Sequence, residues 1–358
     1  MTSRVERRHR VRAHWIVLGT LMILLAAALT MRGYLHHLSA ITDDSVPGDP
    51  GNGQVLLPVL EGKPVIDARA VDIRTSGPPR GTIALTFDDG PDPVWTPKIL
   101  EVLRRHGVHA TFFVVGNEAI AHPDIVRDIV ADGDEVGIHT LTHTDLGGAP
   151  DWQRALELQG AQQAVIAATG QTTSLLRPPY TSTNRAVTPA SWKAIDFAAL
   201  EGYLTVLSTT DSEDWQRPGV RAIEKNAMAG SADGAVVLMH DGGGDRSQTV
   251  AALDALLTTW KADGYRVTSV GSAIGAPDVM RPATGWERTA AGMMVAAVRI
   301  SDAVVAVLAW ALLISGVITL ARVVLVMVTA VRHVRSSRRG WPGGPVTDEP
   351  VTGIVPAY

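Results

Sequence analysis

Short apolar runs rich in β-branched residues alternate with amphipathic stretches of helical length between residues 81 and 278. The short runs predict strands, and the longer stretches between them predict helices. Repeated strand–helix order predicts parallel β/α units, because two parallel strands need a crossover connection. The predicted strands are residues 82–87, 110–115, 134–139, 173–177, 203–208, 234–239 and 265–270, and the predicted helices lie near residues 96–106, 122–132, 151–168, 188–200, 218–229 and 247–263.

This order predicts an α/β fold with about seven parallel strands in residues 81–278. The segment is short for a complete eight-fold barrel. We therefore expect a distorted, reduced (β/α) barrel, with an open doubly wound sheet as the second choice. In both folds the functional groups lie at the carboxyl ends of the strands.

Two apolar runs lie outside this segment. Residues 15–31 carry no charge and can span a bilayer as a helix, and residues 303–331 form a longer run that contains Arg322. Arginines cluster before the first run, in residues 1–14, and after the second, in residues 332–358. The positive-inside rule places both basic segments in the cytoplasm and the chain between the two runs outside it.

We therefore expect a cell-membrane protein with one transmembrane helix on each side of an extracytoplasmic catalytic domain. The first run could instead be a cleavable signal peptide, because Ala26–Ala28 offers small residues for cleavage. We favour a transmembrane helix or signal anchor, since the run is longer than the usual apolar region of a signal peptide. A buried core helix is the weaker alternative for the second run. Residues 32–80 are rich in Gly, Pro and Asp and predict a linker, and residues 279–302 are a second predicted linker.

Composition excludes several classes of function. The formal net charge of −4 is mild, and the basic residues cluster only beside the apolar runs, so nothing predicts a nucleic-acid binder. The chain contains no cysteine, which excludes disulfides, thiolate metal ligands and cysteine nucleophiles. Any bound metal must therefore be held by histidines and carboxylates.

Ionisable residues follow five of the seven predicted strands. Alone, each has an ordinary explanation: Asp-Asp-Gly favours turns, two histidines four residues apart are usually incidental, and a histidine after a strand can be a satisfied core residue. Their joint occurrence at one end of the predicted sheet indicates an active site. The segments are TFDDG (86–90), HTLTH (139–143), RPPY (177–180), DSEDW (211–215) and LMH (238–240).

Taken in order, these segments resemble the five motifs of the polysaccharide deacetylase family, also called the NodB homology domain or carbohydrate esterase family 4. The resemblance covers about residues 82–272. It implies a distorted (β/α) barrel that removes acetyl groups from N-acetylated, sometimes O-acetylated, sugars with one bound divalent metal. Asp89, His139 and His143 match the metal ligands, and one carboxylate with two imidazoles leaves positions open for water and substrate. Zinc is the first choice, with cobalt or nickel as alternatives.

The resemblance also implies roles for the remaining motif residues. Asp88 matches the general base that takes a proton from water, and Arg177 matches the residue that orients Asp88 by a charge-assisted hydrogen bond. His240 matches the general acid that protonates the departing sugar amine. Asp214 matches the carboxylate that keeps His240 charged.

Substrate contacts are expected from two aromatic residues. The backbone N–H at Tyr180 matches an oxyanion donor, and the rings of Tyr180 and Trp215 could form a flat wall for a sugar or simply pack. An O-acetyl polysaccharide esterase would use the same residues and stays open. A silent membrane-held sugar-binding protein on this fold is a weaker alternative. A two-carboxylate glycosidase is disfavoured, because its acid and base must flank the scissile bond, whereas Asp88 and Asp89 are adjacent.

Three partners are expected for this chain. They are an acetylated polysaccharide substrate, the lipid bilayer and a separate glycosyltransferase. The sequence looks closest to the deacetylase half of membrane-bound fusions with a family-2 glycosyltransferase. Residues 332–358 leave no room for such a domain, so we expect any polymerising activity to reside in another protein.

Overall fold

The structure, a computed structural model, describes residues 19–20, 22–34, 55, 57–228 and 233–337. The chain divides into two compact units, Met1–Ser301 and Asp302–Tyr358. The predicted cytoplasmic segment 1–14 and most of the predicted tail 332–358 lie outside the described residues.

The first unit alternates strands and helices over most of its length. Its strands are β1 Val65–Asp67, β2 Arg74–Ser76, β3 Thr82–Asp88, β4 Thr111–Val114, β5 Glu135–Ile138, β6 Gln171–Thr173, β7 Leu175–Leu176, β8 Leu204–Val206, β9 Thr210–Asp211, β10 Ala235–His240, β11 Arg266–Thr268 and β12 Met280–Pro282. Its helices are α1 Met22–Tyr34, α2 Leu57–Leu60, α3 Thr96–His106, α4 Gly116–Ala121, α5 Pro123–Ala131, α6 Asp151–Thr169, α7 Pro189–Leu200, α8 Val220–Met228, α9 Ser247–Ala262 and α10 Val270–Ile274, and α11 Gly285–Ser337 continues into the second unit.

Nine of these strands form one curled, mixed sheet in the order β2-β1-β8-β7-β5-β4-β3-β10-β9, and β11 joins it as a tenth strand by pairing with β3. The run from β8 to β9 is parallel, whereas β1 and β2 add an antiparallel edge. β3 pairs with β10 from Ile83 to Asp88, and its other side is shared by β11 at the start and β4 at the end. The sheet is open, because its end strands β2 and β9 each pair with a single neighbour.

The α/β class and the curled parallel sheet agree with the sequence prediction, but the sheet is an open half-barrel with an antiparallel edge. The prediction of a linker over residues 32–80 is wrong at β1 and β2, which form the antiparallel edge of the sheet. Each of these strands has three residues, which is too short for alternating polarity to reveal a strand between turn-forming residues. Residues 35–54 of that linker lie outside the described residues.

The core lies on both faces of the sheet. All seven residues of β3 are buried. Ile83, Leu85 and Phe87 pack on one face against the helices, and Ala84 belongs to the cluster on the other face. Strands buried on both faces read as continuous apolar runs, which is why sequence predicts this strand so well.

Among the described residues, one helix is long and apolar enough to span a membrane, over Gly285–Ser336 of α11. α1 is also apolar but shorter, and the predicted first span 15–31 is only partly described. The two-span arrangement therefore stays a prediction. α11 begins at Gly285 rather than at residue 303, so much of the predicted linker 279–302 is helical. Ala291 and Val298 of this part are buried in the first unit.

Candidate active site

The loop after β3 brings two neighbouring aspartates into one buried site. Asp88 ends the strand, and Asp89 has a left-handed backbone with φ 75°. Asp is one of the few residues that adopt this conformation with modest strain. Both carboxylates are buried, with 3% and 4% exposure. The turn allows the two side chains to meet different partners.

The loop after β5 carries the two histidines. His139 follows the strand directly, and Thr140 and His143 both have left-handed backbones, with φ values of 64° and 60°. The amides of Gly116 and Asn117, at the start of α4, donate to carbonyls of this loop. Both imidazoles are buried and their ring centroids lie 5.0 Å apart.

Asp89, His139 and His143 converge on one point. Asp89 Oδ1 lies 3.5 Å from His139 Nε2 and 3.2 Å from His143 Nε2, and the three ligand atoms all lie within 4.8 Å of one another. Asp89 Oδ1 is buried and accepts no hydrogen bond from the part of the chain that the structure describes. Burial raises the pKa of Asp89, but His143, His240 and His139 outweigh it and hold that pKa well below its usual range. An ionised carboxylate with two imidazoles fits a divalent metal ion.

The other nitrogen of each imidazole also has a partner. His139 Nδ1 lies 2.7 Å from the carbonyl oxygen of Arg177, and since a carbonyl only accepts, Nδ1 carries the proton. In the neutral form of His139, Nε2 then carries the lone pair, and this atom faces Asp89. His143 Nδ1 lies 3.2 Å from the hydroxyl of Tyr180, whose ring packs edge-on at 5.0 Å. Such partners fix the orientation of metal-binding histidines.

Asp88 forms a buried ion pair with Arg177. Arg177 Nη1 donates to Asp88 Oδ1 at 2.7 Å and to Thr86 Oγ1 at 2.8 Å, and Arg177 Nε donates to the carbonyl of Val206 at 3.0 Å. The second oxygen, Asp88 Oδ2, lies 3.9 Å from His139 Nε2. One oxygen of Asp88 is thus held by the guanidinium, and the other faces the two-histidine site.

His240 and Asp214 form a second buried pair. His240 Nδ1 lies 2.7 Å from Asp214 Oδ1, while the His240 amide and the Thr249 hydroxyl donate to Asp214 Oδ2 at 2.9 and 2.7 Å. Burial raises the pKa of Asp214, but His240, Arg246 and Thr249 outweigh it, and the net pKa is lowered. Asp214 is therefore an ionised acceptor for the His240 ring. His240 is also the register partner of Asp88 across β10 and β3.

The two aromatic candidates lie in different surroundings. Tyr180 contacts His143 and has a left-handed backbone with φ 60°. Trp215 lies in the short helical turn Asp214–Gln216, and its buried Nε1 has no hydrogen-bond partner among the described residues. Tyr180 thus contacts one of the two loop histidines, whereas Trp215 follows Asp214, the partner of His240, in the sequence.

Sequence reasoning gave no role to Asp241, which follows His240 and is fully buried. Its carboxylate accepts from the amide of Gly90 at 3.1 Å and from the Thr96 hydroxyl at 2.6 Å. A side chain at Gly90 would collide with this carboxylate, which explains the glycine. Burial, together with the charges of the two aspartates before Gly90, raises the pKa of Asp241 to about 7. An aspartate directly after a strand-ending histidine was the available signal.

Comparison with known proteins identifies the family of the chain. A sequence model described as polysaccharide deacetylase matches residues 75–195. The chain is 37% identical over 194 residues to a peptidoglycan-N-acetylglucosamine deacetylase of Bacillus cereus, an alignment that covers 54% of this chain and 87% of the relative. The chain belongs to the polysaccharide deacetylase family. It is therefore a hydrolase of that family.

Two further similarities extend the comparison. A chitooligosaccharide deacetylase of Bradyrhizobium sp. is 38% identical over 208 residues, which covers 54% of this chain and 92% of that protein. The crystal structure of a peptidoglycan N-acetylglucosamine deacetylase, Bc1960, in complex with 4-naphthalen-1-yl-N-oxidanyl-benzamide superimposes with a TM-score of 0.52 and 29% identity. That superposition covers 57% of this chain and 91% of the other.

Proposed function

We propose that this polysaccharide deacetylase hydrolyses N-acetyl groups of N-acetylglucosamine-type polymers in the cell wall or outside the cell. The observation that carries the proposal is the carboxylate–imidazole–imidazole set of Asp89, His139 and His143 between two separate buried ion pairs. The relatives named above act on peptidoglycan N-acetylglucosamine and on chitooligosaccharides, which have the same acetylated sugar in common.

The three-residue set supports a metal-dependent reaction. Asp89, His139 and His143 would hold one divalent ion, with zinc as first choice and cobalt or nickel as alternatives. When bound, such an ion polarises an acetyl carbonyl and lowers the pKa of water. Tyr180 and Arg177 would support the two histidines from the far side of each ring, through the contacts at Nδ1.

Asp88 is the proposed general base. Arg177 occupies Asp88 Oδ1 at 2.7 Å, so Asp88 Oδ2 remains directed towards His139 and the site. In this role Asp88 Oδ2 takes a proton from the attacking water as the new C–O bond forms. The backbone N–H of Tyr180 is the proposed donor to the resulting oxyanion.

His240 is the proposed general acid. Its Nδ1 is held by Asp214, which leaves Nε2 to carry the proton that is transferred. The C–N bond breaks as this proton passes to the sugar nitrogen, and the products are acetate and a free amine. The rings of Tyr180 and Trp215 are the proposed apolar wall for the sugar.

Acetate release by the full chain in detergent tests the proposal. The substrates are N-acetylglucosamine oligomers, peptidoglycan and O-acetylated xylan, each with and without a metal chelator. We expect acetate from the N-acetylated substrates, loss of release with chelator and recovery with zinc. Release from the xylan alone would identify an O-acetyl esterase, and release that chelator leaves unchanged would contradict the metal role.

Substitution of one ligand tests the metal site directly. We expect His143→Ala to lose both the bound ion and acetate release, because two remaining ligands hold zinc poorly. His122→Ala is the matched control, because it removes a histidine that lies between α4 and α5. We expect it to keep the bound ion and acetate release. Metal content measured by atomic emission decides the outcome. An unchanged metal content in His143→Ala would show that the ligand set is wrong.

The proposed location is the outer face of the cell membrane, where α11 serves as an anchor in the lipid bilayer. The proposed partner in catalysis is the acetylated polysaccharide. A separate glycosyltransferase partner stays a prediction from the sequence.

A further inference from the structure

Residues 139–146, here called the ligand loop, need restraint from outside the loop. The loop carries two of the three proposed metal ligands, His139 and His143. Thr140 and His143 have left-handed backbones, a conformation that costs energy in residues other than glycine. A loop of this kind keeps its shape only where neighbouring groups hold it.

The carboxylate of Glu157, in the middle of α6, supplies much of this restraint. Glu157 Oε2 accepts from the amides of Leu141 and Thr142, each at 2.9 Å. Glu157 Oε1 accepts from the hydroxyls of Thr142 at 2.7 Å and Thr144 at 3.1 Å. The side chain is fully buried. A buried carboxylate is tolerated only where donors surround it, so these bonds fix both the loop and the glutamate.

A fifth donor reaches Glu157 from the amino-terminal part of the chain. Tyr34, the last residue of α1, donates its hydroxyl proton to Glu157 Oε1 at 2.6 Å. This contact joins residues that are 123 positions apart in the sequence. A second contact holds the same helix, because Ser301 Oγ donates to the carbonyl of Ala28 at 2.7 Å. α1 is thus attached to the first unit by specific hydrogen bonds as well as by apolar packing of Met31.

We infer that Tyr34 and Glu157 are positioning residues that connect the apolar helix α1 to the ligand loop, so that metal affinity depends on α1. This inference rests on the proposed metal site. A metal ion would bind the ligand loop in the conformation described here, and its apparent affinity would fall with the fraction of molecules that hold this conformation. Removal of one donor from a buried carboxylate weakens the restraint and lowers that fraction.

Tyr34→Phe in the full chain tests the connection, because it removes one hydroxyl and keeps the ring. Zinc affinity is measured by competition with a chelator, and amide hydrogen exchange across residues 139–146 is measured in metal-free protein. We expect zinc binding to weaken about threefold to tenfold, as for the loss of one typical intramolecular hydrogen bond, and exchange at Leu141 and Thr142 to accelerate.

Tyr203→Phe is the matched control. Tyr203 is buried, and its hydroxyl accepts from Gln162 at 3.0 Å, outside the ligand loop. We expect this variant to keep the zinc affinity and the loop exchange of the wild type. Equal effects of Tyr34→Phe and Tyr203→Phe would overturn the inference, because they would indicate general loosening.

Glu157→Gln provides a larger perturbation of the same contacts. The new side chain carries an NH₂ group, a hydrogen-bond donor, in place of one carboxylate oxygen that accepted from the loop. We therefore expect faster exchange and weaker zinc binding than in Tyr34→Phe. Unchanged loop exchange in Tyr34→Phe overturns the connection whether or not zinc binds. Absence of zinc binding in the wild type would instead overturn the proposed metal site, and the exchange measurement would still test the restraint.

Discussion

Asp88 and Asp89 are neighbours in the sequence but have different partners. The left-handed backbone of Asp89 turns the chain between them. Asp88 then meets Arg177 at 2.7 Å, while Asp89 faces His143 at 3.2 Å. We therefore expect Asp88→Asn to impair the transfer of a proton and Asp89→Asn to impair the retention of metal.

Asp88→Asn separates chemistry from metal binding. An amide cannot take a proton from water, so we expect kcat/KM to fall by about 10²–10⁴-fold. The three proposed ligands are unchanged, so zinc content should equal that of the wild type. Asp124→Asn, an exposed residue of α5, is the control for loss of a negative charge. A metal-free Asp88→Asn protein would make Asp88 a ligand instead.

The pairing of His240 with Asp214 predicts a pH effect. The ionised Asp214 favours the protonated imidazole, at an Nδ1–Oδ1 distance of 2.7 Å. Asp214→Asn removes this charge, so the imidazole loses its proton at lower pH. The alkaline limb of the kcat/KM profile for an N-acetylated substrate should therefore move to lower pH, with metal content retained. An alkaline limb that stays in place would refute the acid role of this pair.

An O-acetylated substrate serves as the comparison for Asp214→Asn. An alkoxide leaving group depends less on prior protonation than an amine does, so the shift in the alkaline limb should be smaller. Both profiles are measured on the wild type and the variant.

Asp88, His139 and His240 were predictable because each lies at the end of a strand whose apolar run is clear in the sequence. The structure brings Asp89, His139 and His143 together where sequence placed them, at one end of the sheet. Glu157 and Tyr34 were not predictable. Glutamate is an ordinary residue in the middle of an amphipathic helix, and only the packed structure shows that this one is buried.

Helices with clear start and stop signals lie close to the predicted bounds. The helix predicted at 96–106 is α3, which Pro97 starts and Gly107 ends in a left-handed conformation with φ 63°. The two-residue strand β9 and the three-residue strands β1 and β2 carry no comparable signal. Their conformation comes from pairing with neighbouring strands, which local sequence cannot reveal.

The buried aspartate before β5 predicts that the stability of the fold depends on pH. Asp134, just before this strand, accepts from the amide of Ala110 at 2.7 Å. Burial raises the pKa of Asp134 from 3.8 to about 6, against the opposing effects of the Ala110 amide and His109. The folded chain therefore holds this proton to higher pH than the unfolded chain. This retained proton stabilises the folded chain below pH 4. The stabilisation is lost as pH rises through about 6, and between pH 4 and pH 6 the free energy of unfolding falls by about 2 kcal/mol on this account.

Asp134→Asn tests this dependence, because an amide has no proton to lose but can still accept from Ala110. We expect the free energy of unfolding of the variant to fall less than that of the wild type between pH 4 and pH 6. Denaturant unfolding at several pH values measures it, with the exposed substitution Asp263→Asn as the control. Equal slopes in Asp134→Asn and the wild type would contradict the raised pKa.

On the scale of the whole molecule, the chain combines a hydrolase unit with a long apolar helix. The most apolar part of α11 is exposed throughout, unlike the core helix of a soluble domain. A bilayer is the environment that such a surface favours. The basic residues after this run predict which side of the membrane each part occupies.

Cysteine labelling tests that topology, since the natural chain has no cysteine. Ser76 is an exposed residue of β2. The cysteine of Ser76→Cys should therefore react with a membrane-impermeant thiol reagent in intact cells. Ser336→Cys, near the end of α11, should react only after the cells are permeabilised. Labelling of Ser336→Cys in intact cells, or protection of Ser76→Cys, would contradict the predicted orientation.

The open sheet has a consequence for crowding at a surface. Its two end strands are β2, with three residues, and β9, with two. Long unpaired edges invite other copies to extend the sheet, whereas short edges with charged side chains discourage it. Arg74 and Asp211 are such side chains. If α11 anchors the chain in a bilayer as proposed, neighbouring copies would meet more often than in solution, and these short, charged edges would then oppose their aggregation.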